Sequence, residues 1–304
     1  MSKKLVSLFL AVLMVFSTTT TVLAEDTSIT VTDTYGREVT ITEPVTRIVV
    51  LSPSDCEILC AIGCEDLLVG RGMYCDYPES ILELPALSTG KNLNIEEILA
   101  LEPQLVLVDD MDQTDEQIQL LEANGVKVVV SKTTDIEGVY ASIRILSALT
   151  GRNTEGEAII EYMQNAFAYI ASISEPSEKT IYFEVMPLEY GLYTGGANTF
   201  LHELAQLCGM KNVFDDIDQW SRISQEQIIA RNPDYIVLIT GMGEDAPSEV
   251  LSRDGWSEIP AIQNAAIYNA DNSTMTRPAP RLVEAAEGLY EFLYGTDIEI
   301  PGKN

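Results

Sequence analysis

Histidine is nearly absent: the 304 residues contain one, His202. That excludes an HExxH zinc site, which needs two imidazoles one helical turn apart, and leaves any Ser–His–acid triad dependent on that residue alone. No Gly-x-Ser-x-Gly nucleophile elbow occurs. Positive charge is also scarce. Lys and Arg number 18 against 47 Asp and Glu, a formal net charge of −29. The basic footprint that nucleic-acid phosphates or an anionic lipid surface demand is therefore missing. Beyond the N-terminal segment, no apolar run is long enough to span a bilayer.

The N-terminal segment itself reads as an export signal. Lys3 and Lys4 precede an apolar run from Leu5 to Phe16, and Val22-Leu23-Ala24 supplies small residues at a cleavage site. Cleavage is expected after Ala24. It removes two lysines and no acid, so the net charge falls to −31. A lipid anchor needs a Cys just after the apolar run, and the first Cys is Cys56. The expected location is therefore outside the cytoplasm, in a periplasm or at the cell surface, without a lipobox. The five cysteines, Cys56, Cys60, Cys64, Cys75 and Cys208, are odd in number. The first three recur every four residues and are expected along one helix face, as small buried side chains rather than as metal ligands or disulfide partners.

The rest of the chain alternates short apolar runs with helical periodicity. Ile29–Asp33 and Glu38–Ile41 flank Tyr35-Gly36 as a hairpin. Runs at Arg47–Leu51, Leu67–Val69, Leu105–Val108 and Val126–Val130 read as strands, with helices opening at Ser52-Pro53-Ser54-Asp55 and over Ile95–Leu101 and Asp115–Ala123. Such alternation predicts a parallel sheet covered on both faces. From Thr154 to Ile173 an apolar stripe marks one long helix, closed by Glu175-Pro176. A second α/β unit follows: strands Thr180–Val185, Tyr235–Ile239 and Ala266–Tyr268, helices Thr199–Leu207 and Gln225–Ala230, and a last helix from Pro280.

Two of these units are near copies. Asn94-Ile95-Glu96-Glu97-Ile98-Leu99-Ala100 leads to Pro103 and a strand, and Ser224-Gln225-Glu226-Gln227-Ile228-Ile229-Ala230 leads to Pro233 and a strand. Glu96 and Glu226, like Pro103 and Pro233, are 130 positions apart. A supersecondary unit recurring half a chain apart implies two similarly built lobes with a cleft between them, and clefts between lobes hold ligands. The expected organisation is a signal peptide at 1–24, an N-terminal α/β lobe at 25–150, a bridging helix at 151–177 and a C-terminal α/β lobe at 178–304. Asn94 with Glu97, and Ser224 with Gln227, read as capping boxes, placing Glu96 and Glu226 in a first turn where a carboxylate favours the helix dipole. Helix stabilisation alone does not explain why both lobes present an acid at one equivalent place.

Aromatic and basic residues cluster in loops. Tyr74 and Tyr77 lie in Tyr74-Cys75-Asp76-Tyr77-Pro78, Tyr193 follows Gly191-Leu192, Trp220 precedes the second copy of the repeat, and Arg277 and Arg281 bracket Pro278-Ala279-Pro280. As a set they suit stacking on a large flat ligand.

In order, Arg47–Pro53, Asp76–Pro78, Asn94–Pro103, Ser224–Pro233 and Arg277–Arg281 resemble the substrate-binding proteins of bacterial ABC importers for vitamin B12, haem and ferric siderophores. The resemblance covers nearly all of the chain after the signal. It implies two Rossmann-like lobes with parallel sheets bridged by one long helix, a ligand clamped between them with little hinge motion, and no catalysis. The segments look most like those of the members that bind vitamin B12, in which Tyr74, Tyr193, Trp220 and Arg277 match pocket-lining positions. Two pocket tryptophans of those members have no counterpart near Gly90 and Asp109, and Ser273 stands where they carry an acid. A corrinoid such as cobalamin, a haem or a ferric siderophore remains open as the bound ligand, with Tyr74, Met275 or His202 as metal-side contacts. The resemblance also implies partners, an ABC permease and its ATPase, with Glu96 and Glu226 docking onto permease arginines. The other class of function compatible with two α/β lobes is an extracytoplasmic chelatase acting on a metal-tetrapyrrole.

Overall fold

The computed structural model describes residues 28–109, 114–241, 243 and 245–303. The expected signal at 1–24 lies outside them. A hairpin of β1 (Ile29–Thr32) and β2 (Glu38–Ile41) leads into a sheet made of β3 (Ile48–Val50), β4 (Leu68–Gly72), β5 (Ala86–Leu87), β6 (Leu105–Asp109) and β7 (Lys127–Ser131). All of its pairings are parallel, in the order β5-β4-β3-β6-β7. The second lobe holds β8 (Thr180–Glu184), β9 (Tyr193–Gly195), β10 (Lys211–Asn212), β11 (Trp220–Arg222), β12 (Tyr235–Leu238) and β13 (Ile267–Asn269). Its sheet, β10-β8-β12-β13, is also parallel, while β9 and β11 form a separate antiparallel ribbon.

The two sheets share a plan. In each, the first strand of the α/β unit lies beside the strand that follows the repeated helix, β3 beside β6 and β8 beside β12. The repeated helices are Ile95–Ala100 and Gln225–Arg231. Each is followed by a residue forced into left-handed backbone before its proline, Glu102 at φ 48° and Asn232 at φ 54°. Ser224 and Gln227 form the expected capping box. Asn94 caps differently: its side chain accepts from the Glu96 and Glu97 N–H groups, and its amide donates to the Glu97 carboxylate at 2.9 Å. The reciprocal bond to the cap backbone is replaced by one to the cap side chain.

The long helix runs Asn153–Ile173 and buries Gly156, Ile160, Met163, Ala166, Phe167 and Ile170. At about 1.5 Å per residue it spans roughly 30 Å. It lies against helix Ile136–Thr150 of the first lobe and helices Phe200–Leu207 and Leu282–Tyr294 of the second. Gly156 permits the first crossing, because a Cβ there would meet Ser147 Oγ at 2.1 Å. Strand periodicity divides the core. Leu105 and Leu107 face one apolar cluster, Val106 and Val108 another. The first cluster is continuous through Met163, Phe167 and Ile170 into Phe183, Leu204, Val237 and Leu289 of the second lobe.

Helix Ile136–Thr150 was not among the expected elements, although Val139, Ile143 and Leu146 are buried at helical spacing. The last helix starts at Leu282 rather than Pro280, with Arg281 at its cap. The helix carrying Cys56 and Cys60 ends at Ala61, so Cys64 lies beyond it. All five thiols are free, and all but Cys60 are buried. Among the described residues no helix is long and apolar enough to cross a membrane.

Candidate functional site

Ser52, just past the end of β3, caps helix Pro53–Ala61, its hydroxyl accepting from the Asp55 N–H at 3.3 Å. This turn opens on a cavity of ≈ 420 Å³ between the lobes. The first lobe contributes Asp55, Asp109 at the end of β6, Ser131 at the end of β7, and Tyr74. The second contributes Phe200, Trp220 and Arg277. The first-lobe groups thus sit at the C-terminal edge of a parallel sheet, where strand ends leave a crevice that side chains can line.

Two aromatics face this space from opposite lobes. Tyr74 is 61 % exposed. Trp220 is half-buried and meets Phe200 edge-on, with ring centroids 5.3 Å apart. Tyr193 is not part of the wall. It lies in β9 opposite Arg222, with its hydroxyl 3.5 Å from the Trp220 carbonyl.

Arg277 reaches the wall with its guanidinium already engaged. Nη1 donates to Glu57 at 3.0 Å and Asp76 at 2.6 Å, and Nη2 donates to the Tyr74 carbonyl at 3.2 Å. Arg281 also donates to Glu57, at 3.3 Å, and lies over the Tyr77 ring at 4.0 Å. These bonds join the second lobe to the first. The Glu57 side chain is 2 % exposed, and its Oε2 is buried without a partner. Burial pushes the Glu57 carboxyl up, against the pull of the two arginines. Asp76, more open, is held below the usual carboxylate range by its bond to Arg277.

The other suggested metal-side contacts are placed elsewhere. Met275 is fully buried in the continuous core, because helix Asn272–Thr276 turns it inward. His202 is half-buried on helix Phe200–Leu207 and is not on the cavity wall. No group of three or more His, Cys, Asp or Glu side chains fit to hold a metal ion occurs among the described residues.

Sequence reasoning passed over Asp55, Asp109 and Ser131. Asp55 is 1 % exposed, and its Oδ2 accepts from Ser131 Oγ at 2.7 Å. Burial raises its carboxyl to about 7, with the nearby Asp109 charge pushing the same way and the Ser131 and Ser52 hydrogen bonds opposing. The signal that could have found it is an acid in the first turn after a buried parallel strand.

Residues 48–274 match the periplasmic binding protein family model. The chain belongs to this family. An uncharacterized ABC transporter substrate-binding lipoprotein of Bacillus subtilis, YvrC, is 32% identical over 273 residues, 88% of this chain and 85% of the relative. The vitamin B12-binding protein of Salmonella choleraesuis is 27% identical over 248 residues, 80% and 88% of the two chains. The periplasmic haem-binding protein HutB of Vibrio cholerae superposes with a TM-score of 0.75 at 22% identity, over 82% of this chain and 99% of that one. The two-lobed α/β fold with parallel sheets is that of these binding proteins.

On this binding-protein frame, Glu96 and Glu226 are both exposed. Each stands in the first turn of a short helix. The Ser224 hydroxyl holds the Glu226 carboxyl below its ordinary range.

Proposed function

We propose that this protein captures a bulky metal-chelate solute, a corrinoid or an iron complex, outside the cytoplasm and delivers it to an ABC importer. The observation that carries the reading is the pairing of Tyr74 from one lobe with Trp220 from the other on the wall of a single interlobe cavity. Aromatic side chains brought to one cavity from two lobes suit stacking on a flat macrocycle. The cavity's volume falls in the range that ligand sites occupy. The relatives are binding proteins rather than enzymes, and the wall offers no His or Cys to act as nucleophile or base. Arg277 serves the ligand's edge only in part, since most of its donors hold the lobes together. Glu96 and Glu226 are the docking charges, one per lobe, for the permease.

The chain has two tryptophans, and the second, Trp256, is fully buried away from the cleft. Fluorescence of Trp220 thus reports the site. Titration of the purified protein with cyanocobalamin and with haemin should give saturable quenching by one of them, with a stoichiometry of one and no turnover. Saturable binding that leaves the fluorescence of Trp220 untouched would move the site elsewhere.

A further inference from the structure

Thiols gather beside the tie between the lobes. Arg277 Nη1 donates to Glu57 at 3.0 Å and to Asp76 at 2.6 Å, so an acid from a helix and an acid from a loop converge on one nitrogen. Each acid directly follows a cysteine, Cys56 and Cys75. Cys56, in helix Pro53–Ala61, turns its Sγ towards the Tyr77 carbonyl at 4.0 Å, in the loop that carries Cys75. Cys75 turns its Sγ towards the Val50 and Leu51 carbonyls, at 3.7 Å each, where β3 leads into that helix. Each thiol thus reaches into the segment that carries the other. Cys56 and Cys75 are 0 % and 1 % exposed, whereas Cys60, one helical turn beyond Cys56 on the same face, is half-buried. The thiols of Cys60 and Cys75, and then burial, push the Cys56 thiol up. The other two cysteines lie apart: Cys64 is beside Arg152, and Cys208 Sγ faces the Ala286 carbonyl at 3.9 Å.

We propose that Cys56 and Cys75 are a disulfide-forming pair, with half-exposed Cys60 as the thiol through which an external disulfide reaches them. Cys60, as thiolate, attacks one sulfur of the external disulfide; a mixed disulfide forms and the other sulfur leaves as a thiol. Cys56, giving its proton to water, attacks Cys60 Sγ and releases the second external thiol. Cys75, likewise deprotonated, attacks Cys56 Sγ and returns Cys60 as a thiol. In sum the S–H bonds of Cys56 and Cys75 and the external S–S bond are lost. One Cys56–Cys75 bond and two external S–H bonds are formed, and the external disulfide takes both electrons. The last step has a direction, because side chains four apart on a helix hold their Cβ atoms about 5–6 Å apart, wider than the ~4 Å of a relaxed disulfide. A bond from helix to loop is free of that spacing. Once closed, it fastens the loop that carries Tyr74 of the cavity wall and Asp76 to the helix that carries Glu57. The two acids that hold Arg277 are then joined covalently through their neighbours. None of this depends on what the cleft binds.

The test incubates the reduced full chain with excess oxidised glutathione, traps the remaining thiols with iodoacetamide and maps tryptic peptides by mass spectrometry. Cuts after Arg71 and Lys91 leave Cys75 in a peptide of its own. The expected product joins that peptide to the one ending at Arg71, through Cys56 as its fragment ions locate, and dithiothreitol reverses it. Cys56→Ser should abolish the cross-link, Cys64→Ser should leave its rate unchanged, and Cys60→Ser should slow it about tenfold. The melting temperature of the cross-linked chain should rise by several degrees, since the bond restrains the unfolded state. Thiols that stay unlinked in the native chain would overturn the proposal. So would a bond to Cys75 from Cys60 or Cys64, or a cross-link that lowers the melting temperature. An unslowed Cys60→Ser protein would overturn the entry role of Cys60.

Discussion

Arg277 donates to the Glu57 carboxylate at 3.0 Å across a sequence separation of 220 residues, and so ties the two lobes beside the cavity. Glu57 gains a second arginine, Arg281, and Arg277 a second acid, Asp76. This cluster keeps the Tyr74–Tyr77 loop against the second lobe, because Arg277 also holds the Tyr74 carbonyl.

Breaking that tie should cost stability. Arg277→Met leaves an enclosed carboxylate with one arginine, and removal of one partner from a buried pair costs about 3 kcal/mol. Urea denaturation measures it. Glu57→Gln added to Arg277→Met should recover part of the loss, since the uncompensated charge is then gone.

Replacing the aromatic wall should affect binding more than folding. Trp220→Ala loses a stacking surface whose interaction is worth about 1 kcal/mol beyond the area it covers. Affinity for the ligand identified by titration should drop at least several-fold. The melting temperature should fall only slightly, because Trp220 is half-buried and its main ring contact is Phe200. Unchanged affinity would remove Trp220 from the site.

The pH dependence of stability should carry the mark of Asp55. Its carboxyl is raised in the folded state from 3.8 to about 7, so the folded protein binds more protons than the unfolded chain between those values. Stability from this group is full below 3.8 and is lost as pH rises through about 7. Asp55→Asn removes the charged form. It should raise the melting temperature around pH 8 by several degrees, at about 1.4 kcal/mol per tenfold change in proton affinity. Near pH 4 it should change little. Calorimetry at both values checks the sign, and equal melting temperatures at pH 8 would contradict it.

Charge reversal at the docking positions should separate binding from transport. Glu96→Arg with Glu226→Arg reverses two exposed charges at helix starts, where each is worth no more than about 1 kcal/mol to the fold. Ligand affinity should persist, and uptake by a reconstituted permease should cease, because charge pattern sets the register of docking. Uptake at the unaltered rate would reduce these acids to helix-start residues.

A helix as long as Asn153–Ile173, seated on helices of both lobes, should also permit little closure. Small-angle X-ray scattering curves with and without ligand should nearly coincide. A marked ligand-dependent fall in radius of gyration would instead indicate a hinge.

Much of the frame was legible from local pattern. The 130-residue repeat announced two sheets of one plan, and it reappears in backbone detail at Glu102 and Asn232. The stripe from Ile159 to Ile173 announced the long helix. The helix Ile136–Thr150 was equally legible, with a full apolar face, yet the expected elements omit it. The site was less legible because its parts meet over distance. The ribbon of β9 and β11 has only three residues per strand and no turn between them, so nothing local shows that Tyr193 pairs beside Trp220 rather than facing the cavity. Glu57 reads as one more acid on a helix until Arg277 arrives from the far end of the chain. Asp55 was hidden inside a capping turn, where a short acid has an ordinary local reason to be. Met275 sits beside Arg277 in sequence, but a five-residue helix points it into the core.

The apolar cluster that passes from the first sheet over the long helix into the second lobe has a thermodynamic consequence. Each lobe also has an apolar cluster of its own, but the one under the long helix is shared between them. A fragment ending between helix Ile136–Thr150 and helix Asn153–Ile173 would expose Val139, Ile143 and Leu146 to water, a face of the kind that drives aggregation. Loosening of one lobe strips packing from the helix on which the other depends. The lobes are therefore expected to unfold as one cooperative unit, in a single calorimetric transition whose van't Hoff and measured enthalpies agree.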